Sequence, residues 1–282
     1  MVWSLQSLPE LNDIEFERWG KLLEERAGIY MGDQQRVFLQ TQVAMRMREL
    51  DFDSYSKYLD FVLDGVSGML EWTRLIDRLV VKETSFFRHK ESIDMVAQHL
   101  AKRLVDSHDS ESFELWSVGC SSGEEPYSLA MVLNDAYKWV NKDPLYGITA
   151  TDISRAALSL ARTGIYNERK LERLDQNYRQ RYFTTLDDGK YQVISSLRDR
   201  ICFNQGNVLN ISEMPVVKVD AIYCQNLLIY FKRWLRENIM NAFVERLKPG
   251  GILVIGLGEV VDWSHPKMKR ISTEEVQAYV HI

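Results

Sequence analysis

The sequence predicts an α/β fold: a doubly wound, mostly parallel sheet preceded by a small all-α domain and carrying an inserted antiparallel β-subdomain. Three observations point there. Apolar positions recur at helical spacing from Asn12 to about Arg78, with no strand-like run among them. From Phe113 onward, short β-branched or aromatic runs alternate with helical stretches, as in a parallel sheet with crossovers. The first of those runs leads into a glycine-bearing turn, Gly119-Cys120-Ser121-Ser122-Gly123, ahead of a helix.

The first helix places Phe16, Trp19, Leu22 and Leu23 on one face behind an Asn12/Asp13 cap, and Val37 to Leu50 and Tyr55 to Leu63 read as further helices. Residues 1–78 therefore form a helical domain. Residues 79–112 read as a linker and a connecting helix, Ile93 to Val105. Residues 113–282 form the sheet domain. Its strands are expected at Phe113–Val118, Tyr146–Thr151, Ile201–Phe203, Ala221–Cys224 and Ile252–Ile255, with helices at Pro126–Val140, Arg155–Arg162 and Arg233–Leu247. Between Tyr182 and Phe203 the runs Tyr191-Gln192-Val193-Ile194 and Ile201-Cys202-Phe203 flank Ser195-Ser196, which predicts a small antiparallel insertion with a hairpin. After the fifth strand only Val276–Ile282 reads as a further run, so the last hairpin of the sheet is expected to be incomplete.

The 282 residues are 45% hydrophobic, enough for a substantial core. With 35 Lys+Arg against 40 Asp+Glu, the net charge of −5 supplies no global positive field to hold a phosphate backbone, which argues against nucleic acid as the substrate. Met1–Glu10 lacks a basic and then continuously apolar start, and no apolar run approaches the ~20 residues a bilayer requires, so a cytoplasmic location without membrane insertion is expected. Cys120, Cys202 and Cys224 are widely spaced and the five histidines do not cluster, so no metal site is expected.

The strand ends carry the chemistry. Glycines after the first strand let the backbone approach a ligand, although a purely structural turn would look the same. Glu124 and Glu125 follow where a pyrophosphate would sit, so a cationic or zwitterionic ligand suits the loop better than a dinucleotide. Asp152 ends the second strand, where a carboxylate grips a ribose diol or, alternatively, caps the helix near Arg155. The next two strand ends offer Asn207-Val208 and Gln225-Asn226, polar and apolar groups that suit an adenine. Leu247-Lys248-Pro249-Gly250-Gly251 opens the fifth unit with a tight turn.

These strings resemble a known family. The Leu-Lys-Pro-Gly-Gly turn is similar to that of class I S-adenosylmethionine-dependent methyltransferases. Thr84-Ser85-Phe86-Phe87-Arg88, Gly119 through Ser128, Ala150-Thr151-Asp152-Ile153, Gly164-Ile165-Tyr166 and Asn226 through Phe231 together resemble the CheR family of chemoreceptor glutamate methyltransferases, in order, from the first helices to Gly258. The resemblance implies a Rossmann-like methyltransferase fold, S-adenosylmethionine as cofactor, and as partner the cytoplasmic helical domain of a methyl-accepting chemotaxis protein, with the enzyme acting as a monomer. It implies a donor site made of Lys82, Thr84, Arg88, Glu125, Asp152, Asn207, Val208, Gln225 and Asn226, with Arg88 and Tyr230 as catalytic residues. Lys82 and Gln225 depart from the family, which often has Asn and commonly has Arg at those places.

Such an enzyme needs no general base, because a glutamate carboxylate is already ionised at pH 7. Arg88 is then expected to steer the substrate carboxylate or, alternatively, to pair with an acid such as Glu91. Phe86 and Phe87 are expected to pack between the domains. Arg46 and Arg48 are candidates for a basic receptor-facing surface, Arg46 lying nearer the apolar stripe Leu39, Val43, Met47, Leu50; a merely solvated face is the other reading. The hairpin either docks a receptor tail or protects the flank of the pocket. Two other functions fit the same strings: methylation of a small carboxylic acid, and an inert methyltransferase-like binding module.

Overall fold

The computed structural model describes residues 10–106, 112–214 and 217–282. The opening stretch considered above as a leader and residues 107–111 of the expected connecting segment lie outside the described residues, Glu10 excepted. The structure divides into two compact units, residues 1–81 and 82–282. The second unit thus begins well before residue 113. The helix at 90–106 is part of that unit rather than a linker, since Ile93, Val96 and Leu100 are buried in its core.

Among the described residues the first unit is built of helices: α1 (Asp13–Ala27), α2 (Arg36–Glu49), α3 (Tyr55–Leu63) and α4 (Gly65–Leu79). Asn12 starts α1 as half of a reciprocal cap, its Oδ1 accepting from the Glu15 amide at 2.9 Å while Glu15 accepts from the Asn12 amide. Trp19, Leu23, Leu39, Val43, Met47, Tyr58 and Ile76 fill the interior. One ionic cluster lies inside it. Arg46 is buried and binds Glu71 through Nε (2.7 Å) and Nη2 (2.6 Å), Tyr58 donates to the same carboxylate at 2.7 Å, and Glu49 joins Arg46 to Arg78. Arg46 is therefore not the receptor-facing group the sequence suggested. A helical wheel places it beside the apolar stripe and does not show that Glu71, 25 residues on, meets it there. Arg48 is exposed.

The second unit opens with α5 (Lys90–Asp106) and then alternates β1 (Phe113–Val118), α6 (Glu124–Trp139), β2 (Tyr146–Asp152) and α7 (Arg155–Thr163). An insertion follows: β3 (Ile165–Tyr166), α8 (Glu168–Leu171), α9 (Gln176–Tyr182), β4 (Phe183–Thr185), β5 (Tyr191–Val193) and α10 (Ser195–Arg198). The main fold resumes with β6 (Ile201–Gln205), β7 (Val219–Cys224), α11 (Arg233–Val244), β8 (Leu247–Ile255), β9 (Met268–Arg270) and β10 (Gln277–His281).

The main sheet runs in the order β6-β2-β1-β7-β8-β10-β9, parallel from β6 to β8, with β10 antiparallel to both of its neighbours. The last hairpin is thus present. Its β9 arm, Met268-Lys269-Arg270, is too short and too basic to stand out as a strand in sequence. Alternation within the strands makes two cores: Leu115, Ala221, Tyr223, Ile252 and Val254 face α5 and α6, while Trp116, Ile222, Cys224, Leu253 and Ile255 face α11. The order reverses between β1 and β7, the topological switch point at which doubly wound sheets bind ligands.

The insertion spans Ile165 to Arg198 and is larger than residues 182–203. Its three strands are ordered β3-β5-β4, all antiparallel. The hairpin joins 183–185 to 191–193, whereas Ile201 pairs parallel with Ile148 in the main sheet. A short apolar run has the same look in either sheet, so alternation alone could not assign it. The insertion carries an open cavity of about 500 Å³, lined by Leu171, Glu172, Gln176, Arg179, Phe183 and Tyr191 among others.

Candidate functional site

The carboxyl ends of β1, β2, β6, β7 and β8 converge on one place. After β1 the chain turns through Gly119 (φ 79°), Ser121 (φ 47°) and Gly123 (φ 94°). Gly123 is required twice over: its φ lies in the left-handed region, and a Cβ there would come within 2.9 Å of the Ala161 Cβ and 3.0 Å of the Tyr166 hydroxyl. The turn is moored to β2, since Thr151 O accepts from the Gly119 and Cys120 amides at 2.8 and 3.0 Å.

Asp152 completes the mooring. Its Oδ2 accepts from the Ser121 amide and its Oδ1 from the Ser154 amide, each at 2.8 Å. Helix α7 is capped instead by Ser154, whose Oγ accepts from the Ala157 amide, so the helix-cap reading of Asp152 does not hold. Gly206 N donates to Asp152 O at 3.0 Å, which brings Asn207 and Val208 alongside. Asn207 in turn uses its Oδ1 to accept from Leu209 N.

Helix α6 begins at the floor of this site. Glu125 accepts from Ser117 Oγ at 2.7 Å, and its carboxyl is pushed up to about 8. Burial is the main cause, the Ser117 hydrogen bond opposes it, and the charges of Glu259 and Asp152 add to it while Arg88 works against it. The carboxyl is thus held largely protonated at neutral pH. A ligand carrying positive charge would draw it into its ionised form.

A third acid shapes the opposite wall. Glu259 is 3% exposed and accepts from the backbone amides of Asn226 and Leu228, the latter at 2.9 Å. Those bonds hold Asn226 in its left-handed conformation (φ 55°) and set the turn that carries Tyr230. Gly256 leaves the space, since a Cβ there would fall 1.9 Å from Glu259 Oε1. Tyr230 is half-buried, and its hydroxyl is raised by burial while Arg88 opposes that rise. Glu259→Ala strands two amides in a buried place, at about 1–3 kcal/mol each. The variant is expected to melt several degrees lower and to lose most of its activity, checked by calorimetric melting and initial rates on one sample.

The segment Thr84–Arg88 lies over this floor. The Phe87 amide donates to Ser128 Oγ at 3.0 Å, and Ser128 donates to Glu124 O at 2.6 Å, which fixes the segment to α6. The Phe86 ring stands edge-on to Tyr166 (4.9 Å) and Phe183 (5.4 Å), and Phe87 lies 4.9 Å from Tyr178. Both rings therefore pack on the insertion, within the second unit. The sequence could not show this because Tyr166, Tyr178 and Phe183 lie 80 to 97 residues beyond the rings they meet. Arg88 is exposed and donates from Nη1 to Glu83 O at 2.9 Å; the nearby acid Glu91 lies 3.8 Å from His89 instead.

Two family models cover nearly all of the chain: a CheR methyltransferase all-alpha domain over residues 14–80 and a CheR methyltransferase SAM binding domain over residues 82–278. The chain belongs to the CheR methyltransferase family. The boundary between its two CheR domains falls where the structure divides. It is 33% identical to the chemotaxis protein methyltransferase of Salmonella typhimurium over 88% of this chain and 84% of that one, and 33% identical to that of Escherichia coli over 90% and 86%. Chemotaxis protein methyltransferase 2 of Vibrio cholerae is 31% identical over 93% of this chain and 88% of that protein. The fold is that of a class I methyltransferase, and the cofactor is S-adenosylmethionine.

Of the CheR site residues expected from sequence, the structure brings Glu125, Asp152, Asn207, Val208, Gln225, Asn226 and Tyr230 to the same strand ends. Arg88 lies within electrostatic reach of Glu125 and Tyr230. Thr84 presents its carbonyl to Lys170, and Lys82 is exposed at the start of the unit. Two buried carboxylates escaped functional assignment: Glu124, read only as an acid unsuited to a pyrophosphate, and Glu259. Glu259 directly follows Gly258, where the family resemblance ends, and lies four residues beyond the end of β8.

Proposed function

We propose that the chain methylates ionised glutamate side chains on the cytoplasmic helical domain of a methyl-accepting chemoreceptor, acting in the cytoplasm as a monomer. The observation that carries this reading is an exposed guanidinium, Arg88, within electrostatic reach of a half-buried tyrosine, Tyr230, and of the buried acid Glu125 at the strand ends. When bound, S-adenosylmethionine supplies an electrophilic methyl group that a carboxylate displaces in line from sulfur. The residues present fit that donor: three acids suit its net positive charge, and the glycine turn leaves room for its backbone. Among the described residues no helix is long and apolar enough to cross a membrane.

Each residue then has a task. Asp152 takes the ribose hydroxyls, while Asn207, Val208, Gln225 and Asn226 border the base. Glu125 offers negative charge to the cationic end. Thr84 closes the pocket over that end, and Lys82 flanks the segment that carries it. Arg88 receives the incoming glutamate through its planar fork and, with Tyr230, lines it up for attack in a space from which water is excluded. No proton needs to be removed, so alignment and desolvation supply the rate.

Arg88→Lys tests the assignment. The ammonium keeps the charge and loses the fork, at a cost of about 1.5–3 kcal/mol for a charged hydrogen bond, so transfer should fall about ten- to hundredfold. Cofactor affinity should change less, and the melting temperature hardly at all. The assay is tritiated methyl transfer from S-adenosylmethionine to membranes of the source bacterium at saturating cofactor, with the labelled band identified. A variant that transfers at the wild-type rate removes Arg88 from the mechanism.

A further inference from the structure

We propose that Lys170, in the insertion, is a positioning residue for the methyl-donor site, and that the insertion serves as the strut that holds the Thr84–Arg88 segment over the donor. Its ammonium stands 2.7 Å from Oε1 of Glu124 and donates to Thr84 O at 2.9 Å. Glu124 has no exposed surface and sits in the first turn of α6, its Oε2 accepting from Ser122 Oγ at 2.7 Å. Three segments therefore meet around one cation: the Thr84–Arg88 segment through Thr84, the start of α6 through Glu124, which Ser122 of the glycine turn also binds, and the insertion through α8. Two further contacts join the same parts. Tyr166 donates from its hydroxyl to Ser122 O at 2.7 Å, and the Phe86 ring is held between Tyr166 and Phe183.

Within the segment, Phe86 is held by its ring on Tyr166 and Phe183, Phe87 by its amide on Ser128 and its ring on Tyr178, and Arg88 by its side chain on Glu83 O. At the Thr84 end it is Lys170 that holds the carbonyl. A cation that spans a fully buried carboxylate and a carbonyl is held in one geometry, because moving it would leave Glu124 without its counter-charge. The Thr84 carbonyl inherits that fixity. This inference rests on the reading that Thr84 and Arg88 border the donor.

A purely structural role, neutralising Glu124, is separated from a positioning role by removing both charges. Lys170→Met is expected to weaken S-adenosylhomocysteine, measured by calorimetry, by about tenfold or more and to lower the melting temperature. In Lys170→Met/Glu124→Gln the buried charge is gone and stability should recover, while affinity stays low and amide exchange at residues 84–88 remains faster than in the wild type. Lys170→Arg keeps both contacts and should restore affinity and exchange. Wild-type affinity and wild-type exchange in the double variant would overturn the proposal and leave Lys170 as Glu124's counter-ion alone. Failure of the underlying reading looks different: an Asp152→Ala variant that binds the ligand at wild-type affinity would move the donor away from these strand ends and take the inference with it.

Discussion

Asp152→Ala is expected to raise the dissociation constant for S-adenosylmethionine and S-adenosylhomocysteine together by about a hundredfold or more. Two separate losses add. The ribose loses a pair of hydrogen bonds to a charged acceptor, about 1.5–3 kcal/mol apiece. In the empty protein the same carboxylate ties the Ser121 amide and the Ser154 amide to the end of β2, so its removal also frees the glycine turn that forms the floor. The second loss makes the effect larger than a contact deletion. It also predicts that Asp152→Asn only partly rescues, because the carboxamide NH2 would face one of those two amides as a second donor. Calorimetric titration with S-adenosylhomocysteine checks both variants, and melting curves show the stability cost of the stranded amides. Wild-type affinity in the alanine variant would reduce Asp152 to a loop anchor and place the donor away from these strand ends.

The framework of the site was legible in sequence because its parts are local. Each strand end puts its own residues at the pocket, so a correct strand assignment placed Asp152, Asn207 and Asn226 without any knowledge of tertiary contacts. The same reasoning failed where partners are remote. Arg46 looked like a surface cation until Glu71 and Tyr58 closed on it from other helices. Phe86 and Phe87 announced burial but not against what, since their aromatic partners come from the insertion. Glu259 and Lys170 act on backbone groups, the amides of Asn226 and Leu228 and the carbonyl of Thr84, and a backbone partner leaves no residue-type signal. The extent of the insertion was missed for a related reason: β3 is two residues long, and only its pairing with β5 makes it a strand.

Donor affinity is expected to rise about ten- to thirtyfold between pH 6 and 7.5, and Glu125 is the cause. In the empty site burial pushes this carboxyl up to about 8, so at pH 7 most molecules hold its proton. The donor brings a sulfonium and an ammonium against a single carboxylate, and that net positive charge favours ionised Glu125. Binding therefore releases a proton wherever the empty protein holds one and the complex does not, and affinity climbs by nearly one decade per pH unit below about 8. Near pH 8 the donor's own amino group, with an ordinary pKa of about 7.7–8.0, begins to lose its charge and ends the rise. Stability moves the other way. Because the folded carboxyl lies above its ordinary 4.5, its contribution is fully present below that value and is lost as pH rises towards 8. The stabilisation conferred by saturating donor should accordingly grow from pH 6 to 7.5. Titrations at pH 7 in buffers of different ionisation enthalpy should report close to one proton released per donor bound. Glu125→Gln, neutral at every pH, should match the wild type near pH 6, fall behind it near pH 7.5, and release no proton; a proton count near zero in the wild type, or a slope that survives the substitution, would place the titration elsewhere and leave Glu125 ionised or inert in the empty site.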